Sequence, residues 1–334
     1  MAGKTILILG GGVGGLVAAN ELRRRLGREH RIVMVDRAAK HAFAPSFLWL
    51  MLGWRQPSQI CRDLDLLKRK GIEVVRAEVT RIDVAGRGVK TADGEIEYDY
   101  LVIALGAELA PKGIPGFSEE AHSVYDLKSA ERLRDALAGF RGGTVAVVIS
   151  SLPFKCPAAP YEAALLMEYA FRRRGLRQQV DLHVFTPEAL PMPVAGPAVG
   201  TALKEMIEAR GITFVPKVKL ASVNPETREL AFEDGRTARY DLLCGIPPHR
   251  SPAVVAEAGL TNGTGWVPVD PQTLETQHDR VYALGDVTAI KLPVGLMLPK
   301  AGVFAHHQAR VVARNIGIEI VGRGPKAAFD GSGY

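Results

Sequence analysis

The sequence is poor in cysteine. Cys61, Cys156 and Cys244 are spread through 334 residues. That spacing excludes a disulfide framework and offers no zinc-ligand pairs. Adjacent His306 and His307 point about 100° apart on a helix, so no metal site is expected. No apolar run approaches the roughly 20 residues that span a bilayer. The greasiest window, from Phe47 to Trp54, is expected to be buried helix rather than membrane contact. Lys/Arg runs with interleaved aromatics are missing, which excludes nucleic acid as an expected partner. No signal segment precedes the first apolar run, so the expected location is cytoplasmic. The net charge of +6 reads as a solvated basic surface, with anionic ligands or an acidic membrane face as alternatives.

What is present begins at the N-terminus. Thr5-Ile6-Leu7-Ile8-Leu9 is an apolar, β-branched run that ends in Gly10-Gly11-Gly12-Val13-Gly14-Gly15. A small-residue helical segment follows at once. Gly10, Gly12 and Gly15 satisfy G-x-G-x-x-G in the strand–turn–helix context the motif needs. One glycine makes the tight turn, one lets backbone approach a pyrophosphate, and one lets helix pack close on strand. The phosphates then meet the positive end of the helix. Arg31-Ile32-Val33-Met34-Val35-Asp36 reads as the second strand, and Asp36 falls 21 residues past Gly15. An acid about 20 residues on accepts from a ribose hydroxyl. A dinucleotide site follows from the pair of signals.

Further on, residues 58–70 read as a helix with Ile60, Leu64 and Leu67 as its stripe and Cys61 as a packing thiol. Residues 71–83 and 89–98 read as strands, with Val79 near an adenine. Residues 98–107 form a buried strand ending in Ala104-Leu105-Gly106, small enough for close approach of a cofactor. A second wound unit starts near Ser129, with a helix to Leu137 and a buried strand at residues 143–149. The turn after it reads Ser150-Ser151-Leu152-Pro153-Phe154-Lys155-Cys156-Pro157, without glycine. The next strand ends in Thr186 rather than an acid. The second unit therefore repeats the fold without a fingerprint for NAD(P)H. Cys244 is expected to be buried. Residues 281–287 return the chain to the first unit in a strand ending Gly285-Asp286. The expected fold class is α/β, two Rossmann-like three-layer domains. The expected boundaries are 1–108 with 251–322 for the first domain, 109–250 for the second, and 323–334 for the start of a C-terminal segment.

Together these residues resemble the two-dinucleotide-binding flavoproteins, and within them the sulfide:quinone oxidoreductases and flavocytochrome c sulfide dehydrogenases. The likeness covers essentially the whole chain. Lys155-Cys156-Pro157-Ala158-Ala159-Pro160-Tyr161-Glu162 is similar to that family's redox-cysteine loop, and Leu298-Pro299-Lys300-Ala301-Gly302 to its segment beside the flavin ring. The resemblance implies FAD held by Gly10, Gly12, Val13, Gly14, Gly15, Asp36, Arg37, Pro45, Val79, Ala104, Gly106, Gly285, Asp286 and Lys300. It implies sulfide as substrate, a persulfide on Cys156, Glu162 as acid/base, Lys300 steadying negative charge, and a quinone acceptor. A peripheral place on the inner face of the membrane and a homo-oligomer are further implied. The glutathione-reductase type of C-x-x-x-x-C pair is missing from residues 41–47. A type II NADH:quinone oxidoreductase is the alternative, against which the glycine-free turn argues. Two departures stand out. Residues 122–126 read His-Ser-Val-Tyr-Asp where the family often has another cysteine. Phe329 to Tyr334 resembles the strand before the family's second redox cysteine. The expectation is a chain truncated before that cysteine.

Overall fold

The computed structural model describes residues 3–333, so Tyr334, the last residue of the expected C-terminal segment, lies outside it. The chain divides into two units. In the first, five parallel strands run in the order Glu73–Val75, Arg31–Val35, Thr5–Leu9, Tyr100–Ile103, Val281–Ala283. Side chains alternate across a strand, and here both sets are buried. Ile6, Ile8, Ile32 and Met34 face Ala18, Ala19 and Leu22 of helix Val13–Arg25 and Val312 and Ile316 of helix Gly302–Val321. Leu7, Leu9, Val33 and Val35 face Ile82 and Val89 of the antiparallel strands Val79–Asp83 and Gly88–Thr91, and Val255 and Val267. A parallel sheet covered on both faces needs such continuous apolar strands, which explains why these read as unbroken runs.

The second unit repeats the plan. Its parallel sheet runs Thr213–Val215, Val180–Phe185, Gly143–Ile149, Leu242–Ile246. Val145, Val147 and Ile149 face Leu133, Met167 and Phe171 from helices Leu127–Gly139 and Ala159–Arg173. Ala146 and Val148 face Val223, Leu230 and Phe232 of a three-stranded antiparallel layer. The expected three-layer α/β class describes both units. Each fully buried aliphatic side chain contributes about 1.5–3 kcal/mol.

Three expectations need correction. Residues 42–61 belong to the second unit rather than the first. Leu48 and Met51 enter the core of Leu133 and Leu137, and Phe47, Leu50 and Ile60 pack on Ala130. Residues 323–333 group with the first unit. Asn315 exchanges two hydrogen bonds with the Ala327 backbone, at 2.7 and 3.0 Å, and Phe329 is buried beneath. Residues 58–70 do not form one helix. One turn, Pro57–Ile60, is followed by extended Cys61–Asp63, and then by the 3₁₀ helix Leu64–Lys70. The Asp63 carboxylate accepts from the Asp65 amide at 2.8 Å and starts that new helix. Leu64 and Leu67 are its buried stripe, because i and i+3 eclipse in a 3₁₀ helix. The stripe was legible but its period does not separate the two helix types.

Candidate functional site

The first unit builds a nucleotide cradle at the carboxyl ends of its strands. Gly10 has φ of +102°, a region open to glycine, and a Cβ there would lie 2.4 Å from the Ala104 carbonyl oxygen. A Cβ on Gly15 would lie 1.8 Å from the Gly10 carbonyl oxygen, and one on Gly14 would lie 2.3 Å from a Leu284 methyl. These three glycines are demanded by packing. Gly12 differs, since nothing lies within 4 Å of where its Cβ would be. The helix starting at Val13 has no side-chain cap and no acid in its first turn. Its first amides therefore remain available to an anion. The open side at Gly12 and the uncapped helix fit a bound diphosphate.

Asp36 ends its strand as expected. Its carboxylate accepts from the Gly11 amide at 2.5 Å and the Ala38 amide at 2.6 Å. The acid thereby fastens the glycine turn to the second strand, while each carboxylate oxygen keeps lone pairs for a ribose hydroxyl. The His41 ring nitrogen Nδ1 lies 3.0 Å from the Gly11 carbonyl oxygen on the same turn. Arg37 is exposed and 3.5 Å from Glu78, the neighbour of Val79. Ala104 donates its amide to Leu9, and Gly106 takes φ of +71° with open space on its Cβ side. Leu284 donates to Ile103 at 3.0 Å and so brings Gly285-Asp286 to the same edge. Of the expected cofactor residues, Pro45 falls in the other unit, in the turn Ala44–Ser46.

Lys300 is the charged group of this unit whose setting is least ordinary. It is buried, its ammonium donates to the Asp286 carbonyl at 2.7 Å and the Thr288 carbonyl at 3.0 Å, and it lies 3.4 Å from the centre of the Trp266 ring. Burial pushes its pKa down to about 8. Two carbonyls and an aromatic face keep a desolvated cation in place. Gln308 on the last helix accepts from the Gly285 amide at 2.7 Å and fixes the turn that carries Asp286. A cleft of the unit, about 790 Å³, lies elsewhere, among residues 80–87, 254–258 and 278–279. It contains none of the cradle residues, and its Arg87 is occupied by Asp279 at 2.8 Å.

In the second unit the turn after strand Gly143–Ile149 carries Cys156. The thiol-bearing residue is exposed and sits at φ of +51°, unusual for a side chain with a Cβ. Two donors hold its carbonyl, the Tyr125 hydroxyl at 3.2 Å and the Ala159 amide at 2.9 Å. Tyr125 is buried and packs edge-on against His249, with ring centres 5.4 Å apart. Glu162 lies in the first turn of helix Ala159–Arg173, on its solvent side. The protein around it raises its carboxyl above the ordinary glutamate range. Cys244 is fully buried, with burial pushing its pKa up to about 12. It is an inert core thiol, as expected, and Cys61 is half-buried in a short strand.

Beside the start of helix Ala159–Arg173, the second unit buries a polar pair. Tyr161, in the first helical turn, is 1% exposed, and its hydroxyl donates to Glu188 and contacts Thr186. Burial raises both the Tyr161 hydroxyl and the Glu188 carboxyl. Sequence reasoning missed Glu188, Tyr125, Trp266 and Gln308. The one local signal is a lone amide, Gln308, between Ala305 and Ala309 on an apolar helix face.

Residues 4–309 match the family described as pyridine nucleotide-disulphide oxidoreductase. The chain is 28% identical to the mitochondrial sulfide:quinone oxidoreductase of Mus musculus, over 98% of this chain and 73% of that protein. It is 29% identical to the sulfide-quinone reductase of Aquifex aeolicus, over 94% of this chain and 76% of that one. The X-ray structure of the sulfide:quinone oxidoreductase from Aquifex aeolicus superposes with a TM-score of 0.84 at 27% identity. The alignment covers 96% of this chain and 77% of that one.

Proposed function

We propose, for a chain that belongs to the pyridine nucleotide-disulphide oxidoreductase family, that it oxidises sulfide at Cys156 and passes the electrons through FAD to a quinone. The observation that carries this reading is an exposed cysteine, in a left-handed conformation, in the turn where a nicotinamide-binding unit has its glycines. The similarity to the sulfide:quinone oxidoreductases named above supports it. A nicotinamide donor is not favoured, since residues 150–157 hold no glycine.

The chemistry balances. A hydrosulfide sulfur joins the Cys156 sulfur, one S–S bond forms, and one proton and two electrons leave. FAD, which the glycine turn and Asp36 would hold, would supply the two-electron acceptor between sulfide and quinone, and the quinone would take up two protons with the pair to become a quinol. Glu162, with its raised carboxyl, is placed to take or return the proton. Lys300 keeps one positive charge at a desolvated point of the first unit, where it offsets negative charge gained on reduction. The backbone pins on Cys156 keep its side chain turned outward. No helix among the described residues is long and apolar enough to cross a membrane, so contact with a lipid-soluble quinone is peripheral in this reading.

Sulfide-dependent reduction of a short-chain quinone by the FAD-loaded chain tests the assignment. An intact flavin spectrum with no turnover would end it. Lys300 adds a pH signature. Its ammonium is charged below about 8 and loses that charge as pH rises through it. Turnover at saturating sulfide and quinone is expected to decline above pH 8. Lys300→Met is expected to lower turnover roughly tenfold, equivalent to about 1.4 kcal/mol, and to remove that alkaline limb. A variant profile parallel to wild type would show that Lys300 plays no such part.

A further inference from the structure

In the glycine turn of the first unit, one residue is gripped at both of its backbone polar groups. The Gly11 amide donates to Asp36 at 2.5 Å, and the Gly11 carbonyl oxygen lies 3.0 Å from His41 Nδ1. A carbonyl oxygen only accepts, so Nδ1 carries the proton in this contact. The segment that brings the ring there is itself tied down. The Ala38 amide donates to Asp36 at 2.6 Å, and the Leu64 amide donates to the Ala39 carbonyl at 3.0 Å. Residues 36–41 therefore reach Gly11 twice, once with an acceptor and once with a donor.

The consequence falls on the next amide. The peptide joining Gly11 to Gly12 is trans, and a planar trans peptide points its C=O and its N–H in opposite directions. With the Gly11 carbonyl drawn to His41, the Gly12 N–H points away from the ring. Among the described residues no backbone acceptor takes that amide. Nothing lies within 4 Å of a Cβ placed on Gly12, and helix Val13–Arg25 starts one residue later without a side-chain cap. An amide in that position, at the positive end of a helix, is a donor kept for an anion. Glycine on both sides of this peptide gives it little steric preference of its own, so the carbonyl contact sets its direction.

We propose that His41 is a positioning residue for the cofactor: its Nδ1–H, bound to the Gly11 carbonyl, turns the Gly12 amide outward as a fixed donor for the diphosphate of FAD. The proposal rests on the placement of that diphosphate at Gly12. Asp36 does not do the same, because its carboxylate holds the other peptide of Gly11, the one that joins it to Gly10. With the ring removed, the Gly11–Gly12 peptide is free to turn, and its carbonyl can then face the diphosphate. Anion and carbonyl oxygen repel each other, so the loss is specific to ligands that carry phosphate there.

The test titrates the full-length apoprotein with FAD and then displaces the FAD with ADP or with adenosine. His41→Leu is expected to raise the FAD dissociation constant about tenfold, the scale of a lost hydrogen bond to a charged group. ADP should weaken by the same factor, and adenosine, which has no phosphate, should compete as in wild type. Two amide variants separate the direction of the donor from its presence. His41→Asn sets a donor near the place of Nδ1 and is expected to bind FAD within about threefold of wild type. His41→Gln sets its donor near the place of Nε2 and is expected to be as weak as His41→Leu. The Asn and Gln pair decides the matter even where His41→Leu fails to fold, which the unfolding midpoint of each apoprotein shows. Wild-type FAD affinity in His41→Leu or His41→Gln overturns the proposal. So does a loss shared equally by ADP and adenosine, or an Asn variant as weak as the Gln variant. Gly12→Ala is titrated beside them. Unchanged affinity there removes the diphosphate placement and the proposal with it. Weak binding in Gly12→Ala with wild-type binding in the His41 variants removes the positioning role alone. No arm uses sulfide, so the outcome is separate from the sulfur chemistry.

Discussion

Sulfide added to Cys156→Ser leaves the oxidised flavin band in place, with bleaching slowed on the order of 10³-fold or more. The expectation follows from elimination among sulfur atoms as well as from position. Cys244 is sealed in the sheet of the second unit with its pKa pushed up to about 12. Cys61 is half-buried in a three-residue strand. Cys156 alone of the three is exposed. A serine hydroxyl keeps the size and the left-handed backbone, so the Tyr125 and Ala159 contacts to the residue 156 carbonyl remain. What the substitution removes is a sulfur able to form an S–S bond. FAD content and the unfolding midpoint should match wild type. Bleaching at the wild-type rate would move the sulfur chemistry away from this turn.

The second large effect separates two glycines that look alike in the motif. Gly15→Ala places a methyl 1.8 Å from the Gly10 carbonyl oxygen, which is backbone and has nowhere to go. Helix and strand must part, and overpacking of this kind costs about 1–3 kcal/mol or more. The variant is expected to lose nearly all FAD and to unfold several degrees lower. Gly12→Ala behaves differently. Its φ of −72° suits any residue, and no atom lies within 4 Å of the new methyl. The apoprotein should fold with an unchanged midpoint, while FAD binds at least tenfold more weakly because the methyl fills the space left for the diphosphate. Titration of each apoprotein with FAD, alongside thermal unfolding, reads both. Equal FAD affinity in Gly12→Ala and wild type would show that the open side of this turn is not the cofactor's.

How much of this was legible in the sequence depends on distance along the chain. The glycine turn and Asp36 were readable because their demands are local: a positive φ at Gly10, a close approach at Gly15, an acid at a strand end. At Cys156 the local sequence showed a glycine-free turn with two prolines, while the role of its sulfur came only from a resemblance. The partners that steady these groups were not readable. Trp266 reaches Lys300 from 34 residues away, Tyr125 reaches Cys156 from 31, and Glu188 reaches Tyr161 from 27. No local pattern records such a meeting. Residues 42–61 teach a related lesson. Their apolarity announced burial, but hydrophobicity carries no address, and they joined the core of Leu133 and Leu137 rather than that of the neighbouring strand. Trp49 and Trp54 turn outward, 42% and 44% exposed, and that was hidden for the same cause. A greasy window shows that some side chains are inside without saying which.

Electrons are expected to reach the flavin of this chain through sulfur and not from a nicotinamide. Anaerobic titration of the FAD-loaded wild-type protein with sulfide, and separately with NADH, tests it most directly by following the oxidised flavin band. Bleaching by sulfide within the mixing and turnover time and an unchanged band with NADH are expected. Bleaching by NADH with none by sulfide would contradict this.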